Sequence, residues 1–119
     1  MAGLLASARP VLAQAPVNLS GTWVGNAGVE VVYSHNGGSL QGNAWGGRND
    51  PNLRGSVNLS GGPMVFKGTY ENSKGNLRGW GTLTITVCNA NTMFVAFEGF
   101  VTDGRQSAPV RDSGYAYRR

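Results

Sequence analysis

The feature that most constrains this chain is a recurring three-residue signature, an apolar residue, then any residue, then glycine. The signature begins at Leu19, Leu40, Leu53, Phe66, Leu77 and Phe97. Over residues 77 to 87, apolar residues or glycine alternate with polar residues, and only Trp80 departs from the pattern. A period of two is typical of a β-strand with one buried and one solvated face. Six strands built on one template predict a β-meander that curls and closes.

Turn residues separate the predicted strands. Asn36-Gly37-Gly38 is a strong hairpin signal, because Asn and Gly tolerate positive φ. The predicted strands cover residues 19–25, 29–35, 39–45, 53–59, 64–70, 77–87, 92–101 and 114–118, and residues 102 to 113 are predicted to form a polar loop. Eight strands with short connections predict an all-β fold, an eight-stranded antiparallel up-and-down β-barrel. A two-sheet sandwich is the alternative.

The glycines of the signature have two interpretations. Glycine lets strands coil sharply in a small barrel and leaves room for a ring opposite, so the repeat is explained by packing alone. The other interpretation is a glycine-lined cavity that holds a ligand. If the signature faces inward, the interior contains Trp23, Leu40, Phe66 and Phe97, and these are the candidate ligand-binding residues.

The N-terminal residues 1–16 differ from the rest of the chain. They end in Ala13-Gln14-Ala15, which has the small-x-small form of a signal-peptidase site. Against that, no basic region precedes the apolar part, and Arg9-Pro10 interrupts it. Two interpretations therefore stay open: an exported protein, periplasmic or secreted, or an ordinary leader before a single barrel domain of residues 17–119. The segment is too short and broken to span a membrane.

The charge of the chain admits an anionic partner but does not demand one. A net charge of +4 allows contact with nucleic acid. The basic residues are mostly single arginines, with one small cluster at Arg111, Arg118 and Arg119. Scattered charge of this kind is typical of a solvated surface. Binding of single-stranded nucleic acid through aromatic residues and arginines is therefore the weakest of three functional hypotheses.

Residues that carry chemistry are few. His35, the single histidine, precedes a hairpin turn, where a solvated side chain is expected. Cys88, the single cysteine, is predicted to be a small buried or edge hydrophobe. The sequence contains no Ser-His-Asp set, phosphate loop or metal-ligand spacing. We therefore expect no cofactor, no metal and no catalytic residue, and a binding protein is favoured over an enzyme.

The first hairpin resembles that of the avidin and streptavidin family. The matching residues are Leu19-Ser20-Gly21-Thr22-Trp23, then Gly28, then Leu40-Gln41-Gly42, and the match covers residues 19–45. Gly21-Thr22-Trp23 also has the Gly-x-Trp form that begins the first strand of lipocalins and other calycin barrels. The resemblance implies an eight-stranded barrel with a binding mouth at one end.

The resemblance also implies structural roles for Gly21, Trp23 and Arg118. In calycin barrels, a basic side chain from the last strand lies across the tryptophan ring, and Arg118 is placed to do this as a cation–π contact. A frayed, solvated terminus is the alternative for Arg118.

Biotin binding is not implied. The polar side chains with which the family contacts biotin correspond in this chain to Gly25, Val29 and Ala44. Buried polar contacts are what make such a site specific. The predicted ligand is therefore a small apolar molecule other than biotin.

The outward face of the strands suggests a second function. The outward aromatic residues are Trp45, Trp80, Phe94 and Phe100. The sixth and seventh strands are consecutive, so they should pair and bring several of these rings into one patch. A soluble monomer seldom leaves such a patch in water. We therefore predict an interface, most simply in a homodimer, and the alternative is that the N-terminal apolar segment covers the patch.

Overall fold

In a computed structural model, which describes residues 17–119, the chain forms a closed barrel of eight antiparallel strands in sequence order. The strands are β1 (Gly21–Gly25), β2 (Glu30–Asn36), β3 (Ser39–Trp45), β4 (Arg54–Gly61), β5 (Val65–Lys74), β6 (Leu77–Asn89), β7 (Thr92–Thr102) and β8 (Ser107–Arg118). Pairing of β1 with β8 closes the barrel. The predicted barrel is confirmed, and the sandwich alternative is wrong. Both interpretations of residues 1–16 concern a segment outside the described residues.

The last strand is longer than predicted. Residues 107 to 113, which the sequence analysis assigned to a polar loop, belong to β8 and pair with β7 along its whole length. These residues have little apolar alternation, and they include Pro109, which cannot donate to a ladder. The long β7 supplies pairing partners for them, and tertiary pairing overrides a weak local preference.

The two ends of the barrel differ. At the closed end lie residues 17–20 and the β2–β3, β4–β5 and β6–β7 turns; at the open end lie the other four turns. The buried core comprises Leu19, Trp23, Tyr33, Leu40, Val57, Leu59, Phe66, Tyr70, Leu83, Ile85, Val87, Met93 and Ala116. Most of its large aliphatic side chains lie toward the closed end. Within the described range, no helix is long and apolar enough to span a bilayer.

Arg118 and Trp23 organise the closed end. The Trp23 indole Nε1 donates a hydrogen bond to the Leu19 carbonyl oxygen at 2.9 Å. The Arg118 guanidinium lies 4.6 Å from the centroid of the Trp23 ring. It donates to the carbonyl oxygens of Asn18 and Ser20 at 2.7 and 2.8 Å. The predicted cation–π contact is confirmed, and the frayed terminus is wrong.

His35 is part of the closed end, where its side chain is half-buried; the predicted solvated side chain is wrong. Its Nδ1 accepts a hydrogen bond from the Leu19 backbone N–H at 3.0 Å, so Nε2 carries the proton that is donated to the Gly37 carbonyl oxygen at 3.0 Å. The ring packs edge-on against Phe66, with centroids 5.2 Å apart. The turn begins only after Asn36, which makes His35 an inward position of β2. Its role is structural.

Cys88 and the basic cluster lie on the outside. Cys88 is exposed, because it follows buried Val87 and so continues the outward row of β6; it is not the buried residue that the sequence allowed. Arg111 pairs with Glu98 at 3.1 Å, whereas Arg119 pairs with Glu30 at 2.8 Å. Arg111 and Arg119 thus have separate acidic partners, and the Arg118 guanidinium makes its contacts at the closed end. The sequence cluster does not form one cationic surface.

Candidate functional site

A cavity of about 330 Å³ lies inside the open end of the barrel. Trp23 lies at its inner end, and Val31, Val57, Leu83 and Phe97 contribute apolar wall. The volume is at the lower end of the range for small-molecule sites, roughly 300–1,000 Å³. The barrel is thus filled by its own side chains at one end and hollow at the other.

Small inward residues create the hollow. Gly25, Ala44, Gly55 and Gly114 line the cavity from four different strands, where the closed end has leucine, isoleucine, methionine and phenylalanine. A Cβ atom added to Gly25 would find no neighbour nearer than the Val29 carbonyl oxygen, at 3.9 Å. Gly25 does not belong to the apolar-x-glycine signature; Gly55 does, and although it lines the cavity, a Cβ atom there would lie 2.8 Å from the Glu71 carbonyl oxygen, as the packing interpretation expects.

Tyr70 is one of the residues that line the cavity. Its side chain, on β5, is 7% exposed. Its buried hydroxyl has no hydrogen-bond partner among the described residues. The ring packs edge-on against Phe97, with centroids 5.5 Å apart. Burial raises the pKa of Tyr70 and also that of Tyr33, another wall residue, so both hydroxyls are uncharged donors and acceptors at neutral pH.

The rim of the cavity is polar and acidic. Asn26, Asn72 and Asp112 contribute to it, and Asp112 shares the inner face of the sheet because it lies opposite Phe97. The Asp112 carboxylate accepts a hydrogen bond from the Ser113 backbone N–H at 2.8 Å. Among the described lining residues, the charged ones are acidic, and none is lysine, arginine or histidine. An anionic ligand would find no counter-charge there.

The predicted ligand-binding residues divide into two pairs. Trp23 and Phe97 line the cavity. Leu40 and Phe66 are fully buried nearer the closed end and lie outside it. Alternation predicts which residues face inward but not their height along the barrel axis. The sequence therefore could not separate the two cavity residues from the two residues of the closed end.

Sequence reasoning missed most residues of the cavity, and Tyr70 and Asp112 show two different reasons. Tyr70 is four residues beyond Phe66, so the same alternation was sufficient to place it inside. Asp112 was assigned to a loop, and no local signal marks it as an inward strand residue. In addition, Gly25, Val29 and Ala44, where the avidin family has polar ligand contacts, all line the cavity.

A second candidate site is the outer face of β6, β7 and β8. Trp80 lies opposite Phe100, with ring centroids 6.2 Å apart. Phe94 lies opposite Tyr115, with centroids 5.1 Å apart. The outer face therefore has two aromatic pairs instead of the single predicted patch, and Ala96 and Glu98 separate Phe94 from Phe100 along β7. Both members of the first pair are more than 40% exposed.

Trp45, the other predicted outward aromatic residue, does not lie on this face. It lies on β3, on another part of the barrel wall. Its Nε1 donates to the Pro51 carbonyl oxygen at 3.1 Å, and the Arg54 guanidinium lies 5.9 Å from its ring centroid. Its contacts are local to the β3–β4 connection.

No group of three or more His, Cys, Asp or Glu side chains among residues 17–119 is arranged to hold a metal ion. Comparison of the chain with protein-family models, with curated proteins and with solved structures finds no match.

Proposed function

We propose that this protein binds a small, largely apolar molecule in the cavity at the open end. The observation that carries the proposal is the 330 Å³ hollow, which the chain leaves beside Trp23 and Phe97. Removing apolar ligand surface from water contributes roughly 25 cal/mol per Å². His35 and Cys88 both lie away from the cavity, which favours binding over catalysis.

The volume sets the size of the ligand. At about 30 Å³ for each water-sized group, 330 Å³ accommodates on the order of ten such groups. A compact molecule of roughly ten to fifteen non-hydrogen atoms is therefore the best match. Gly25, Val29 and Ala44 stand where the avidin family has polar contacts to its ligand. None of the three has a polar side chain, which supports an apolar ligand.

Naphthalene is a suitable probe of the cavity, since it has this size and no polar group. We expect it to shift the NMR signal of the Trp23 indole, and Gly25→Leu to weaken its binding at least about tenfold, because the new side chain would project into free space. The control is Ser34→Leu, which adds a similar side chain on the outer face of β2. Equal affinity of naphthalene for both variants would contradict binding in the cavity.

A second candidate function is self-association through the outer face of β6–β8. Its support is the arrangement of the two aromatic pairs, which flank the Glu98–Arg111 ion pair on the same face. A twofold axis parallel to β7 would place Glu98 against the partner subunit's Glu98, so that two carboxylates face each other. A twofold axis perpendicular to β7, in the plane of the interface, instead places Phe100 near the partner subunit's Phe94. We therefore favour a homodimer with antiparallel β7 strands.

The solution mass tests this candidate. The full chain at micromolar concentration should have about twice the 12.5 kDa mass of one copy, and Trp80→Glu with Phe94→Lys should reduce the mass to that of one copy. The matched control is Trp45→Glu with Val32→Lys, on the outer face of β2 and β3, which should leave the dimer intact. A monomeric wild-type protein would exclude this function, as would a dimer that survives the first double substitution.

A further inference from the structure

We propose that the ligand is an uncharged ring compound with a carboxamide or lactam group, and that the side-chain amide of Asn72 binds this group. This inference rests on the proposed function and adds the chemical class of the ligand. The apolar ring of the ligand occupies the cavity beside Trp23 and Phe97, and its amide group stays near the mouth, against Asn72.

Asn72 lies on the inner face of the barrel near the open end. It is two residues before the end of β5, and it follows the inward residue Tyr70 by two positions. It is one of the residues that line the cavity. Its side chain is only partly buried, so a ligand in the cavity can reach it.

Two glycines on the adjacent strands make room for the Asn72 side chain. Its cross-strand neighbours are Gly55 on β4 and Gly79 on β6. A Cβ atom at Gly55 would lie 3.1 Å from the Asn72 Cβ atom, and a Cβ atom at Gly79 would overlap the Asn72 Oδ1 atom. Gly79 is a buried, inward position of β6, so the Oδ1 atom lies inside the barrel, where a side chain at position 79 would otherwise project.

This arrangement leaves the amide available to a ligand. Because glycine has no side chain, neither cross-strand neighbour of Asn72 offers a side-chain hydrogen-bond partner. An asparagine side chain has one acceptor oxygen and two N–H donors. It therefore pairs best with a group that presents a donor and an acceptor side by side, as a carboxamide or a lactam does.

The charge of the lining favours an uncharged group of this kind. Among the described lining residues, the charged ones are acidic and none is basic. A carboxylate has nearly the same shape as a carboxamide, but on entering the cavity it would lose hydration without gaining a counter-charge. The neutral amide avoids this cost and supplies the N–H donor that a carboxylate lacks.

The test compares naphthalene, 2-naphthamide and 2-naphthoate, by NMR titration of the full chain at neutral pH. The three probes share one ring system, and the last two differ mainly in charge. We expect 2-naphthamide to bind about three to ten times more tightly than naphthalene, which is the range for one net hydrogen bond. We also expect 2-naphthoate to bind more weakly than 2-naphthamide.

Three leucine variants locate the contact. Asn72→Leu removes the amide at nearly constant volume and should abolish the preference for 2-naphthamide over naphthalene. Asn43→Leu makes the same change on the outer face of β3, opposite exposed Val32, and should preserve the preference. Asn26→Leu removes the amide of the β1–β2 turn, which also lines the cavity, and should preserve the preference as well.

Gly79→Ala tests the position of the amide without changing Asn72 itself. The added methyl group would take the place of the Oδ1 atom, and the end of the Asn72 side chain can turn aside. We therefore expect the barrel to fold and the preference for 2-naphthamide to be lost. Gly114→Ala is the matched control, because a Cβ atom there would lie 3.1 Å from the Asn26 Nδ2 atom, and it should leave the preference intact.

The outcomes distinguish this inference from the function on which it rests. Equal affinities for naphthalene and 2-naphthamide would overturn the amide contact, as would a preference that survives Asn72→Leu, although a binding cavity would remain. Binding of 2-naphthoate as tight as that of 2-naphthamide would overturn the uncharged class. Failure of all three probes to bind would overturn the proposed function itself. The comparison of the three probes on the wild-type chain stands even if a variant does not fold.

Discussion

Replacement of Trp23 by alanine is expected to lower the free energy of unfolding by about 3–5 kcal/mol, the usual range for removal of a large buried aromatic side chain. The ring is 1% exposed and lies between the cavity and the closed end. Its loss also leaves the Leu19 carbonyl oxygen without the indole N–H and removes the surface on which the Arg118 guanidinium lies. The expected result is a large decrease in the denaturant midpoint, measured by equilibrium unfolding.

Trp80→Ala is the matched control for this experiment. It removes the same side chain from the outer face, where the ring is 43% exposed and its aromatic neighbour is Phe100. Such a pair contributes roughly 0.5–1.5 kcal/mol beyond buried area, so the expected loss is much smaller. Because Trp80 belongs to the proposed dimer face, both variants must be unfolded at the same protein concentration. If the two variants unfold at the same denaturant midpoint, the Trp23 side chain does not stabilise the closed end more than an exposed tryptophan would.

The face of each strand could be predicted from the sequence because a strand has a strict period of two. This period is the reason that Trp23 and Phe97 were placed inside and Trp80 and Phe100 outside. The turn at Asn36-Gly37 fixed the pairing of β2 with β3. Likewise, Arg118 was found only because the first hairpin resembles a family in which a basic residue occupies that position.

The position of a residue along the barrel axis could not be predicted from the sequence. Leu40 and Phe66 share the inward face with Trp23 and Phe97, but they lie outside the cavity. Height depends on strand stagger around the whole barrel, which is a property of all eight pairings together. Asp112 was missed for a related reason. Its position opposite Phe97 depends on the pairing of β8 with β7, and the sequence of β8 has little of the alternation that predicts a strand.

Valine in place of Gly68 is expected to destabilise the barrel by about 3 kcal/mol, the upper end of the usual range for overpacking. A Cβ atom at Gly68 would overlap the Asn58 carbonyl oxygen and lie 2.8 Å from the Leu59 Cα atom. These are backbone atoms of β4, paired with β5 in the same ladder, so they cannot turn aside as a flexible side chain would. The expected result is a large loss of stability in equilibrium unfolding.

Gly25→Val is the informative comparison, because the two glycines have opposite surroundings. At Gly25 the nearest atom to an added Cβ is 3.9 Å away, so we expect valine to change stability by less than about 1 kcal/mol while reducing the space for a ligand. Close approach of β4 and β5 then explains glycine at Gly68 and also at Gly55 beside the cavity, whereas the free space explains it only at Gly25. If Gly68→Val is tolerated, close approach of the strands is not what requires glycine there. If Gly25→Val is as damaging as Gly68→Val, the open end is packed as tightly as the rest of the barrel, and the cavity has no room for a ligand.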